Sequence, residues 1–150
     1  MARTIIFKVS YLGHCGRGAR KQVVRRIEME ETQSLDDLHE AIIYRSFKWD
    51  NPHLYSFFMD NKPYLKDRAM EYTCEEHVNL DFNGPNSSCT KLKELGLSKD
   101  QKFLFVFDFG DGHNFEIVVE GFGETKKGTS YPVILEAIGE APEQYAGAEG

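Results

Sequence analysis

Residues 103–120, FLFVFDFGDGHNFEIVVE, join two apolar, aromatic runs across a short Gly/Asp break, and no other stretch limits the fold of this chain as tightly. In the first run Phe103, Phe105, Phe107 and Phe109 fall on one side of an extended backbone while Leu104 and Val106 fall on the other. Both faces then need burial, as they do for a strand inside a sheet. Gly110, Asp111 and Gly112 supply the turn, because glycine accepts positive φ and Asp tolerates the left-handed region. The second run is again aromatic and β-branched, at Phe115, Ile117, Val118 and Val119. The segment reads as a β-hairpin.

A chain of 150 residues buries enough surface to form a core, so a single domain over 1–150 is expected. With 41% hydrophobic and 28% charged residues it is neither disordered nor fibrous. No apolar run approaches the roughly 20 residues of a membrane helix, and the first residues begin a strand-like alternation rather than a signal peptide. A cytoplasmic protein with no membrane partner is expected. Cys15, Cys74 and Cys89 are an odd set without a close pair, which points to reduced thiols.

Residues 4–12 alternate Ile5, Phe7, Val9 and Tyr11 against more polar neighbours, and Val23, Ile27 and Met29 resume the same period after a Gly-rich break. These two strands are expected to form a hairpin. Ser34 followed by Asp36 and Asp37 opens a helix over 34–46, with Leu35, Leu38, His39, Ile42 and Ile43 on one face. Residues 53–59 offer a third strand ending in a turn at Asp60-Asn61-Lys62-Pro63, and Val78, Leu80 and Phe82 hint at a short edge strand. Thr90 is placed to cap a helical turn over KLKEL that Gly96 ends, and Tyr131–Ile138 reads as helical. The expected fold is α+β: an antiparallel or mixed sheet of about five strands with one main helix packed on it.

Several groups of side chains have chemistry to offer. Asp108, Asp111, His113 and Glu116 crowd the hairpin, and a histidine among carboxylates is raw material for acid–base work or for a metal-dependent hydrolase. Trp49 and His53 bracket Asp50-Asn51-Pro52, where an aromatic beside polar groups suits a pocket mouth. Cys74 and His77 have metal-like spacing, with Cys89 and His14-Cys15 elsewhere, but a single C-x-x-H is not a zinc signature, so neither metal nor cofactor is expected. The net charge of −6 opposes a general attraction to nucleic acid. Yet the first thirty residues set Arg3, Lys8, Arg17, Arg20, Lys21, Arg25 and Arg26 against only Glu28 and Glu30. The GRGARK segment lacks phosphate-loop spacing and opens a strand rather than a helix.

Taken in order, VVRRIEM, SLDDLHEAI, FKWDNPHLYSF, LKELGL, FVFDFGDGHNFEIVVE and YPVILEAIGEAPEQYAG resemble the pRi-plasmid ORF-three-like family, also labelled insertion-element passenger or TnpR-like. The most specific parts are Leu38-His39, Trp49 through His53-Leu54 to Phe57, and Asp108-Phe109-Gly110-Asp111. The resemblance implies a fold more than an activity. Where that family usually has Trp-x-His after the Gly-Asp turn, this chain has His113-Asn114-Phe115, which favours a packing or binding role at the hairpin over a fixed catalytic set.

Three functions follow as expectations. The leading one is a non-enzymatic binding module for a protein or small-molecule ligand, with Trp49, His53, Asp108, Asp111, His113 and Glu116 at its surface. The second is a nucleic-acid-associated accessory of a mobile element, using Arg17, Arg20, Lys21, Arg25 and Arg26 against phosphates. The third is a metal-dependent hydrolase built on the 108–116 loop.

Overall fold

The computed structural model describes residues 2–14, 17–50, 53–61, 68–78 and 86–144. Among them nine strands form one sheet. They are β1 (Arg3–His14), β2 (Arg17–Gly18), β3 (Val24–Glu30), β4 (Tyr55–Phe58), β5 (Glu71–Thr73), β6 (Asn86–Ser87), β7 (Lys102–Phe107), β8 (His113–Glu124) and β9 (Val133–Ile138). The order across the sheet is β6-β5-β4-β7-β8-β1-β3-β9, with β2 folded back on the end of β1. Only β5 and β6 pair in parallel; the other pairings are antiparallel.

This overturns the expected layout of about five strands under one main helix. The sheet is nearly twice that wide, and the helix α1 (Leu35–Glu40) has six residues before it passes into a six-residue π segment, Ala41–Ser46. The only other α-helix among the described residues is α2 (Glu75–Val78), four residues long. Strands of two or three residues, such as β2, β5 and β6, are too short for period-2 alternation to show. β9 occupies the stretch read as helical. There β3 presents a free edge, and Ile134 lies opposite Ile27 with a register shift at Arg26/Ile27, so pairing overrides local preference. KLKEL forms a 3₁₀ turn over Leu92–Leu95 that starts from Lys91, and Gly96 ends it at φ 63. Val78 ends α2 instead of entering a strand. Cys15, Lys62-Pro63 and the expected strand at Leu80 and Phe82 lie outside the described residues.

The N-terminal strands pair as their alternation requires, Thr4 opposite Glu30 and Ser10 opposite Val24. The aromatic segment forms the β7–β8 hairpin, with Phe105 opposite Phe115 and Phe107 opposite His113. Asp108 takes φ 60 and Gly112 φ 63, and the Gly112 N–H donates to the Asp108 carbonyl at 2.6 Å, which closes the turn. Phe7, Phe57, Phe103, Phe105, Phe107 and Phe115 are fully buried on one face. Phe57 stacks on Phe105 with centroids 4.5 Å apart. On the opposite face Phe58, Leu104 and Val106 make a second small cluster with Phe109, so β7 is apolar on both sides for a packing reason.

Ser34 caps α1: its hydroxyl accepts from the Asp37 N–H at 3.1 Å while Asp37 Oδ2 accepts from the Ser34 N–H at 2.9 Å. The later widening has a use. Phe47 N–H reaches back to the Ile42 carbonyl, five residues away, at 2.9 Å. Ala41, Ile42 and Ile43, which a narrower helix would spread around its surface, are all buried against the sheet.

Candidate functional site

Trp49 and His113 do meet, but the chain's own C-terminal segment covers them. Their rings lie 4.5 Å apart. The Trp49 indole N–H donates to the Pro142 carbonyl at 2.9 Å. The Gln144 amide makes two bonds to Asp50, accepting from its N–H at 2.6 Å and donating to its carbonyl at 2.9 Å. His113 is fully buried between the same elements. Its Nε2 donates to the Gln144 carbonyl at 3.0 Å, since a carbonyl can only accept, and its Nδ1 accepts from the Tyr11 hydroxyl at 2.9 Å. That pairing belongs to the neutral ring. Burial pushes His113 below the ordinary imidazole range, with the Gln144 carbonyl acting in the opposite direction.

The remaining residues named from the hairpin do not converge into one cluster. Glu116 lies on the sheet face opposite His113, because 113, 115 and 117 alternate with 114 and 116 along β8. Asp111 Oδ2 stands 3.9 Å from His113 Nε2, beyond hydrogen-bond reach. Asp108 shapes the turn, its Oδ1 accepting from Gly110 N–H at 3.2 Å, and its Oδ2 lies 3.5 Å from His53 Nδ1. The His53 ring packs edge-on against Phe107 with centroids 5.6 Å apart.

Two of the five basic residues named from the sequence, Arg25 and Arg26, are committed within the chain. Arg25 is buried, donating to the Val24 and Ile138 carbonyls at 2.9 and 3.1 Å beneath the Phe47 ring. Arg26 bridges Glu120 at 3.0 Å and Glu136 at 3.3 Å. Arg20 and Lys21 are exposed, and Arg17 lies in β2.

A cavity of about 490 Å³ lies elsewhere, at α1 beside β4, β5 and β6. Asp36, His39 and Glu40 of α1 line it together with His53, Leu54 and Tyr55, Cys74 and Glu75, and Ser88 and Cys89. The capping box orients the first turn of α1 and so places Asp36 and, three residues on, His39 on the same side. His39 is almost wholly buried and stacks on Tyr55 with centroids 3.8 Å apart. His39 Nδ1 lies 3.3 Å from Asp36 Oδ1, and the Tyr55 hydroxyl donates to that same oxygen while contacting Ser88 Oγ at 2.8 Å.

A carboxylate accepts, so Nδ1 carries a proton toward Asp36. His39 Nε2 is buried and has no hydrogen-bond partner. The hydrogen bond from His39 holds the Asp36 carboxyl below the usual range, against the opposing effect of burial. Burial and then the Asp36 bond push the Tyr55 hydroxyl far upward, so it stays a donor. Cys89 is raised despite a favourable bond from Ser87, through desolvation and the carboxylates of Glu75 and Asp36. Among the described residues no three His, Cys, Asp or Glu side chains converge as a metal-holding group.

Sequence reasoning places His39 on the apolar face of the helix and reads Asp36 as a carboxylate at the positive end of the helix dipole, missing their partnership. The available signal is local: a histidine within an apolar stripe, three residues after an acid. Tyr55, Ser88, Glu40 and Glu75 carry no such sign, since separate segments bring them together.

The family model described as plasmid pRiA4b ORF-3-like protein matches residues 17–150. An uncharacterized protein, y4hQ, of Sinorhizobium fredii (strain NBRC 101917 / NGR234) is 29% identical over 126 residues, which are 83% of this chain and 59% of that protein. The chain thus spans about three-fifths of that relative's length. A crystal structure of a protein of unknown function, MM3350 from Methanosarcina mazei Go1, superposes with a TM-score of 0.73 at 23% identity, covering 96% of this chain and 74% of the other. That likeness establishes the fold.

Proposed function

The chain belongs to the plasmid pRiA4b ORF-3-like family, and we propose that it is a binding module whose ligand enters the cavity between α1 and strands β4, β5 and β6. The observation that supports this most directly is the cavity itself. Its 490 Å³ falls within the roughly 300–1,000 Å³ of small-molecule sites, and it carries a few placed polar groups on an aromatic wall. Binding fits the site better than catalysis, because the Tyr55 hydroxyl and the Cys89 thiol are not activated. Tyr55 is held protonated, Ser88 is engaged with Tyr55, and the Cys89 thiol is pushed up. His53, named from the sequence, lines this cavity, while the Trp49–His113 corner is filled from within.

The test is chemical-shift mapping of the ¹⁵N-labelled protein against a fragment library mixed in charge and polarity. Binders are expected to perturb residues 36–40, 53–55, 74–75 and 88–89 together. Perturbations gathered instead at Arg20 and Lys21, or no binder at all, would refute the cavity as the functional surface.

A further inference from the structure

From the polarity of the cavity walls we infer that the ligand is an organic cation bearing N–H groups, a protonated amine or an amidinium or guanidinium. This inference rests on the cavity being the ligand site. Three carboxylates border the space, Asp36, Glu40 and Glu75, while among the described residues neither lysine nor arginine lines it. An anionic ligand would meet like charge, whereas a cation finds opposite charge in a recess partly screened from water.

The hydrogen bonds within the wall sharpen the choice. Both bonds to the Asp36 carboxylate, from His39 and from Tyr55, go to Oδ1, so Oδ2 is left to accept from an incoming group. Asp36 is held in its charged form by those same donors. Beside it, the His39 ring nitrogen Nε2 is buried without a hydrogen-bond partner, a condition that costs stability. The Tyr55–His39 stack adds an aromatic surface of the kind against which cations settle. A metal ion fits less well, because no three metal-ligating side chains converge among the described residues.

The experiment uses the full chain and isosteric probes: benzylammonium and benzamidinium against benzyl alcohol, benzamide and benzoate, each titrated by chemical-shift mapping. The cations are expected to perturb the cavity residues with Kd values about tenfold or more below those of the neutral probes, the size of one charge-assisted hydrogen bond. Asp36→Asn should remove most of that preference, read as the ratio of cation to neutral affinities. Asp36 also braces Tyr55 and His39, so a Glu40→Gln/Glu75→Gln variant, altered only at exposed side chains, repeats the test without disturbing that network. It should weaken the cations by about two- to threefold, as lost surface charge does. Benzyl alcohol, benzamide or benzoate binding in the cavity as tightly as the cations would overturn the cation assignment and leave the cavity reading standing. So would an unchanged preference in both variants, or cavity shifts produced by Zn²⁺ but not by the amines. No probe binding in the cavity would overturn both.

Discussion

Acidification through the histidine range should loosen this protein by an amount set by one buried ring. His113 is fully buried, and its two nitrogens are matched to the neutral form, Nε2 donating to Gln144 and Nδ1 accepting from Tyr11. A proton on Nδ1 would face the hydroxyl that now donates to it and would place charge in the core beside His14, whose ring centroid is 5.3 Å away. The folded-state pKa is therefore below that of the unfolded chain. The unfolded state then takes up the proton first, so stability is complete above about pH 6.5 and falls as pH drops below it. For a single group the loss between pH 7 and pH 5.5 is at most about 1.3 kcal/mol, reached if the folded ring stays neutral throughout. In urea this lowers the unfolding midpoint by roughly 0.5–1 M. Trp49 is the single tryptophan and packs on His113, so its emission reports the transition at the relevant corner. The control is His113→Phe, which should be less stable at pH 7 but visibly flatter between pH 7 and 5.5, since the other histidines cancel in the comparison. Equal slopes in the two proteins, or a parent that gains stability on acidification, would refute the reasoning.

Phe105→Ala should cost about 3–5 kcal/mol in urea unfolding, because the ring is wholly enclosed by Phe57, Phe115 and Tyr55 and a cavity would remain. Ser34→Ala should cost about 0.5–2 kcal/mol by removing the cap of α1, and thermal unfolding would register it. Gly139→Ala should destabilise by about 1–3 kcal/mol in urea unfolding, because the residue sits at φ 79 and a Cβ there would come within 2.1 Å of the Gln22 carbonyl oxygen.

What the sequence discloses is what local chemistry controls. The β7–β8 hairpin is legible because Phe103, Phe105 and Phe107 alternate with Leu104 and Val106 before a Gly/Asp turn, and the start of α1 is legible from Ser34 and Asp37. β9 is not legible, since Val133–Ile138 becomes a strand only through the open edge of β3. The neighbourhood of Trp49 and His113 can be guessed from their flanking turns, but the return of Pro142 and Gln144 over them leaves no local mark. The cavity is harder still. Its walls come from four separate stretches of chain, and only His39, a polar side chain within an apolar stripe, shows that something other than packing is at work.

The long seam between β1 and β8 sets the order in which this molecule can assemble. Arg3 stands opposite Glu124 and Tyr11 opposite Phe115, so the middle of the sheet joins strands far apart in the sequence. At a translation rate of about 5–20 residues per second, β1 emerges from the ribosome several seconds before its partner. During that interval β1 can pair with β3 on one side only, and its other edge, with Ile5, Phe7, Val9 and Tyr11 along the strand, has no neighbour to meet. Such non-local closure is slow in any chain. Nascent copies crowded on one message would therefore be most prone to join one another along β1, until β8 arrives to close the seam.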